Sequence, residues 1–98
     1  MGVHIGAMAM TGDATRHHAE AVPGGWRVSW LPDRLLTCDK SVTAMVLAEA
    51  VASTTLTSEH RLWPHIDAWA AQLGLSGPAA VVASSLPAPV REVDPQCR

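Results

Sequence analysis

A chain of 98 residues has room for one hydrophobic core, because two cores would each be too small to offset the entropy lost on folding. Its formal charge of −2 and pI near 6.2 give no general attraction for nucleic-acid phosphates or for an anionic bilayer. No apolar run approaches the roughly 20 residues that a membrane helix needs. We therefore expect a small soluble cytoplasmic domain with no membrane partner, for which nucleic acid is possible but unsupported.

The core must be built from few large side chains. Apolar residues make up 48% of the chain, but most are Ala and Val, and the only aromatic residues besides the histidines are four Trp. Each Trp therefore fills a large share of the interior.

The first 24 residues show no apolar period and run into the Pro-Gly-Gly cluster at 23–25, which interrupts regular structure. We predict a disordered leader over 1–24. Protection of its amides from exchange would indicate a missed element, such as a strand from Val3 to Met8. Three methionines are alternative starts: Met1, Met8 and Met10.

A β-hairpin is predicted to open the folded part. Trp26, Val28 and Trp30 alternate with polar residues at the period of two that places one face of a strand on a core. Pro32 and Asp33 then favour a type I turn, after which residues 35–37 return as the second strand.

A first helix is predicted over 38–53. Thr37 is a good N-cap, and Asp39 lies in the first turn, where the helix dipole favours a negative charge. Little of the circumference is polar, so we expect this helix to be central and buried. One of its stripes includes a carboxylate and consists of Val42, Met45, Val46 and Glu49.

Two further helices complete the prediction. Pro64 and Gly74 bracket a helix near 62–73, and Ser76 with Pro78 begins a short third helix over 79–84. The second helix carries the clearest apolar stripe in the chain, formed by Ile66, Trp69, Ala70 and Leu73. The fold class is thus α+β, a short N-terminal antiparallel hairpin followed by three helices, with the domain at 25–86 and a disordered tail at 87–98.

No catalytic, cofactor or metal site is predicted. His17, His18 and Glu20 are metal-ligand types, but adjacent histidines without a scaffold rarely form a closed shell. His60 and His65 lie near carboxylates, as acid–base chemistry needs, yet five residues apart they do not share a helix face. The two cysteines, Cys38 and Cys97, are expected to remain thiols in a reducing cytoplasm.

One Trp is a candidate for partner contact. Trp26, Trp30 and Trp69 occupy positions that the periodicities place in the core, whereas Trp63 precedes the helical stripe. We predict that Trp63 is exposed and contacts a partner, together with His60 and Arg61.

A DNA-binding alternative rests on the helix pair near 62–84, which has the length and the connecting glycines of a helix-turn-helix. Its second helix carries no Arg, Lys, Asn or Gln, the residues that reach bases and phosphates. The remaining question is whether four cations converge into a basic patch: Arg27, Arg34, Lys40 and Arg61.

Several stretches resemble small proteins of high-GC actinobacteria and of their phages or mobile elements. They are GWRVSWLP at 25–32, AMVLAE at 44–49, LWPHIDAWA at 62–70 and LGLSGP at 73–78. The resemblance covers about residues 25–84, agrees with the absence of Asn and the single Lys, and implies no activity.

These observations favour a small non-catalytic protein-interaction module, of phage or mobile-element origin, whose partner is another protein or a second copy of the chain. The alternative is a DNA-associated regulator, and a small enzyme is the least favoured hypothesis.

Overall fold

A computed structural model describes residues 2–54 and 61–86. Five strands come first: β1 (Val3–Ile5), β2 (Ala9–Gly12), β3 (His18–Val22), β4 (Gly25–Val28) and β5 (Leu31–Leu36). Three helices follow: α1 (Cys38–Ser53), α2 (Trp63–Gln72) and α3 (Gly77–Ser85). The class is therefore α+β, as predicted, with a larger sheet than a hairpin.

The strands form one antiparallel sheet in chain order, β1-β2-β3-β4-β5. Met10, Ala19 and Val28 are paired across β2, β3 and β4 and lie on the face that α1 covers. All three are fully buried. Since α1 contacts every strand, this row beneath it forms the centre of the core.

The prediction of a disordered leader over 1–24 is wrong for the described part of it, because β1, β2 and β3 lie there. These strands are short and rich in Ala, so they carry almost no periodic apolar signal. The Pro-Gly-Gly cluster is the turn between β3 and β4, and Gly24 adopts a φ of +92°, which glycine tolerates best.

The predicted turn between β4 and β5 is displaced. It lies at Ser29 and Trp30, and the chain continues as β5 through Pro32 and Asp33, where we expected the reversal. Proline is accepted there because β5 is an edge strand, on which a missing N–H costs no ladder bond. Trp30 is buried, and its Nε1–H donates to the carbonyl of Ala44 at 3.2 Å.

The three helices are confirmed with their caps. The Thr37 hydroxyl accepts from the Lys40 amide at 3.2 Å, and the Ser76 hydroxyl accepts from the Ala79 amide at 3.3 Å. Gly74 follows α2 with a φ of +75°. On α2 the stripe faces inward, although Trp69 is only half-buried.

The helices α2 and α3 pack on each other and on α1, so the elements stack as sheet, central helix and outer helix pair. None of the helices in the described residues is long and apolar enough to span a membrane. The predicted tail at 87–98, with Cys97, lies outside the described residues, as does Met1.

We expect Ser41→Ala to raise the free energy of unfolding by about 1 kcal/mol. A buried hydroxyl without a partner loses its hydrogen bonds to water on folding and gains none in the protein. Ser41 is fully buried in α1, and its Oγ makes no hydrogen bond within the part of the chain that the structure describes. Urea denaturation measures the change. Ser29→Ala is the contrast and should destabilise, since the Ser29 hydroxyl is bonded to both the ring of His17 and the amide of His18. A loss of stability in Ser41→Ala would contradict this interpretation.

Candidate protein-binding edge

The two edges of the sheet differ in how they receive another strand. The β5 edge is protected in the ways that natural sheets use against edge-to-edge pairing. It contains Pro32, the exposed charges of Asp33 and Arg34, and a break in its register with β4. Arg34 also donates from Nη1 to the carbonyl of Leu73 at the end of α2. An added strand is therefore disfavoured at β5.

The β1 edge is open. Among the described residues β1 pairs with β2 alone, with His4 opposite Thr11. Flanking bonds run from the Asp13 amide to the Gly2 carbonyl at 2.9 Å and from the Gly6 amide to the Ala9 carbonyl at 2.8 Å. In an antiparallel ladder these bonds use every second residue. The main-chain N–H and C=O groups of the two intervening residues, Val3 and Ile5, consequently point away from the sheet.

An apolar groove lies beside this edge, between β1 and α1. Its cavity has a volume of about 310 Å³ and is lined chiefly by Val3, Ile5, Val42 and Val46. Ile5 is 57% exposed, and the other three are half-buried. The edge thus offers free backbone groups and apolar contacts to the same incoming chain.

A buried carboxylate holds the edge in place. Glu49 of α1 is 2% exposed, and its two oxygens accept from the amides of Gly2, Ala14 and Thr15 at 2.9–3.2 Å. A Cβ on Gly12 would lie 2.5 Å from Glu49 Oε1, so a side chain at that position would displace the carboxylate. Glu49 therefore fixes the start of β1 and the loop after β2 against the central helix.

The outer face of the sheet is polar. His4 on β1 is hydrogen-bonded to Asp13, with 2.6 Å between Nε2 and Oδ1. The hydrogen bond from His4 lowers the pKa of Asp13, which favours the charged form of the carboxyl. His18, Glu20 and Arg27 lie on the same face, with Arg27 opposite Glu20. No group of three His, Cys, Asp or Glu residues in the described chain is placed to hold a metal ion.

His17, unlike its neighbour His18, is buried in the loop before β3. Its Nε2–H donates to the carbonyl of Leu86 at 2.9 Å, and its Nδ1 accepts from the Ser29 hydroxyl at 2.8 Å. It borders a second cavity, of about 400 Å³, between this loop and the ends of α1 and α3. Both ring nitrogens are engaged in tying α3 to the sheet, so His17 has a structural role.

We expect His17 to make stability fall between neutral and mildly acidic pH. Burial lowers its pKa below the 6.5 of an unfolded histidine. Above about pH 6.5 the ring is neutral in both states, and as pH falls toward the folded-state pKa only the unfolded chain takes up the proton. The urea concentration at the midpoint of unfolding should therefore change less between about pH 7.5 and pH 5.5 in His17→Gln than in the wild type. An unchanged difference in His17→Gln would contradict the assignment.

The residues predicted to contact a partner do not line this groove. Trp63 begins α2 and is half-buried, with its ring close to the first residue of α3, Gly77. Arg61 is exposed just before α2, and His60 lies outside the described residues. The ring of His65 lies 6.0 Å from that of Trp69, centre to centre, and is tilted by 31° to it. The residues that form the open edge were missed because neither Val3 nor Ile5 belongs to a periodic segment.

The exposed side chains give little support to DNA binding by the pair α2 and α3. The exposed residues of α3 are Pro78, Ala79, Val82 and Ser85, which offer no cation or amide to a base edge. The four cations lie on four separate segments, and one of them, Arg34, already donates to the carbonyl of Leu73.

Comparisons of the chain with protein-family models, with curated proteins and with solved structures gave no match in any of the three.

Proposed function

We propose that the protein is a non-catalytic protein-interaction module that binds an extended segment of another polypeptide by strand addition at β1. The observation that carries the proposal is the pairing of an open edge, at Val3 and Ile5, with an apolar groove on the side that faces α1. Strand addition is a general mode of recognition in which main-chain bonds give affinity and pockets for alternate side chains give specificity.

The contrast between the two edges supports the choice of β1. An exposed, apolar edge is a liability that proteins remove, as this chain does at β5 with Pro32 and Arg34. At β1 the same chain places Val3 and Ile5, and it anchors the strand through Glu49 instead of letting it fray. An ordered edge of three residues with apolar side chains on its inner face suits the capture of a short strand.

The geometry also describes the segment that fits. An added strand would bond to Val3 and Ile5, and its inward side chains would enter the groove over Val42 and Val46. Those side chains should be apolar, whereas the alternate side chains, beside His4 and Asp13, should be polar. With two residues offering backbone groups, we expect moderate affinity, in the micromolar range.

Site-specific photo-crosslinking tests the proposal. Benzoylphenylalanine would replace Ile5 in one variant and Leu35 in a second, both expressed in the native host. Leu35 is a matched control, because it is 53% exposed and lies on the other edge strand. We expect covalent adducts from position 5 that are absent from position 35 and that disappear when His4→Pro is added to break β1. Equal labelling from both positions, or none from position 5, would contradict strand addition at β1.

A further inference from the structure

We propose that the strand that adds to β1 is β1 of a second copy of this chain, so that two sheets join into one across a two-fold axis. The inference rests on the proposed function and names the occupant of the edge. Three features of the edge carry it: the register of its free backbone groups, the composition of the groove and the charges beside it.

The register of the free groups is self-complementary. If β1 of a second copy runs antiparallel with His4 opposite His4, then Val3 of each copy faces Ile5 of the other. The residues with outward main-chain groups thereby meet each other. About four hydrogen bonds then form across the seam, which is the line between the two β1 strands. In a register that places Val3 opposite Val3, or Ile5 opposite Ile5, only that one residue of each copy would meet a partner with free main-chain groups. The arrangement with His4 on the axis uses every free group of the strand.

The groove favours a second copy over an unrelated peptide. A two-fold axis perpendicular to the sheet places both α1 helices on the same face, one on each side of the seam. Each copy then contributes Val3, Ile5, Val42 and Val46, and a single contact covers both grooves. A single peptide would cover only one groove. Since apolar burial drives most association, the symmetric pair gains more from the same edge.

The charges at the edge do not oppose self-association. Of the described residues that line the groove, Glu49 alone has a titratable side chain, and its carboxylate is already bonded to three main-chain amides. On the outer face the two His4 rings would be neighbours, but each has its own Asp13 carboxylate at 2.6 Å. The net charge of −2 per chain adds only weak long-range repulsion.

Sedimentation velocity over about 5 to 500 µM protein tests the dimer. We expect the 10.4 kDa chain to shift toward twice that mass as concentration rises. Ile5→Lys places a charge at the seam and should weaken dimerisation by roughly tenfold or more. Leu35→Lys is the control at an equally exposed position of the other edge and should dimerise as the wild type does. Circular dichroism establishes that both variants are folded.

A cysteine trap tests the register. In a chain with Cys38 and Cys97 replaced by serine, His4→Cys places two thiols on the axis, where opposite Cα atoms of a non-hydrogen-bonded pair lie about 4.5 Å apart. That separation suits a disulfide, so mild oxidation should give a covalent dimer. Thr11→Cys is one strand further from the seam in each copy, about 14 Å from its equivalent, and should give none.

The outcomes separate this inference from the proposed function. A monomer at every concentration, or a dimer that Ile5→Lys does not weaken, overturns the second copy as occupant. Equal yields of disulfide-linked dimer from His4→Cys and Thr11→Cys overturn the register. If the chain is monomeric while position 5 still crosslinks to a different protein, the dimer is excluded and strand addition stands. If position 5 crosslinks to no protein, both strand addition at β1 and the dimer are contradicted.

Discussion

Replacing Glu49 with alanine is expected to destabilise the protein strongly. The carboxylate is buried in α1 and is the common acceptor for the amides of Gly2, Ala14 and Thr15. Its removal leaves these donors without partners and opens a cavity, and each such loss costs about 1–3 kcal/mol. A domain of this length has about 5–15 kcal/mol in total. We expect a loss of at least about 3 kcal/mol, measured by urea denaturation at 25 °C.

Two variants control for the Glu49 result. Glu49→Gln keeps the volume and one acceptor oxygen but turns an NH₂ group toward N–H donors, so it should cost less than alanine yet remain destabilising. Glu20→Ala removes a carboxylate from the outer face of the sheet and should change stability by under about 1 kcal/mol. If Glu49→Ala costs no more than Glu20→Ala, the carboxylate does not hold β1 and its following loop.

Trp30→Ala is expected to be the costliest substitution of the tryptophans in the described chain, at about 3–5 kcal/mol. Trp30 is 6% exposed, lies in the main core cluster and donates from its indole to the carbonyl of Ala44. Trp69 lies in the best apolar stripe of the sequence, but it is only half-buried, so Trp69→Ala should cost less. Thermal or urea unfolding of both variants shows which of the two loses more stability.

The hydrogen bond of Trp30 can be separated from its packing. Trp30→Phe keeps an aromatic ring in the core and removes the donor to Ala44, so it should cost less than the alanine variant. A greater loss in Trp69→Ala than in Trp30→Ala would mean that α2, and not the turn before β5, supplies the main aromatic contact of the core.

The helices could be predicted because their signals are local. Thr37 and Ser76 bond to amides three residues ahead, and Gly74 adopts its positive φ immediately after α2. None of these features needs a distant partner. Caps and breakers therefore located all three helices before any packing was known.

The strands β1, β2 and β3 could not be predicted because what stabilises them is distant in the chain. Each is three to five residues long, too short for an alternating pattern to differ from chance. Met10 is their one large buried apolar side chain, and it packs beneath α1 about thirty residues later. Their ladder bonds carry no side-chain signature at all.

The open edge was missed for a related reason. It combines Val3 and Ile5 with Val42 and Val46, which the sequence separates by some forty residues. One signal was present in the chain, since Glu49 interrupts an otherwise apolar stripe of the central helix. A carboxylate in such a position requires donors, and here they are the amides at the start of β1 and after β2.

Amide exchange at β1, followed residue by residue at low and high protein concentration, tests the central claim most directly. In dilute protein the His4 amide, directed toward Thr11, should be protected, while those of Val3 and Ile5 should exchange quickly. At high concentration Val3 and Ile5 should gain protection, and Leu35 on the other edge strand should not change. If His4 exchanges as fast as Val3 and Ile5 at every concentration, β1 is not a paired strand, and the edge on which both proposals depend does not exist.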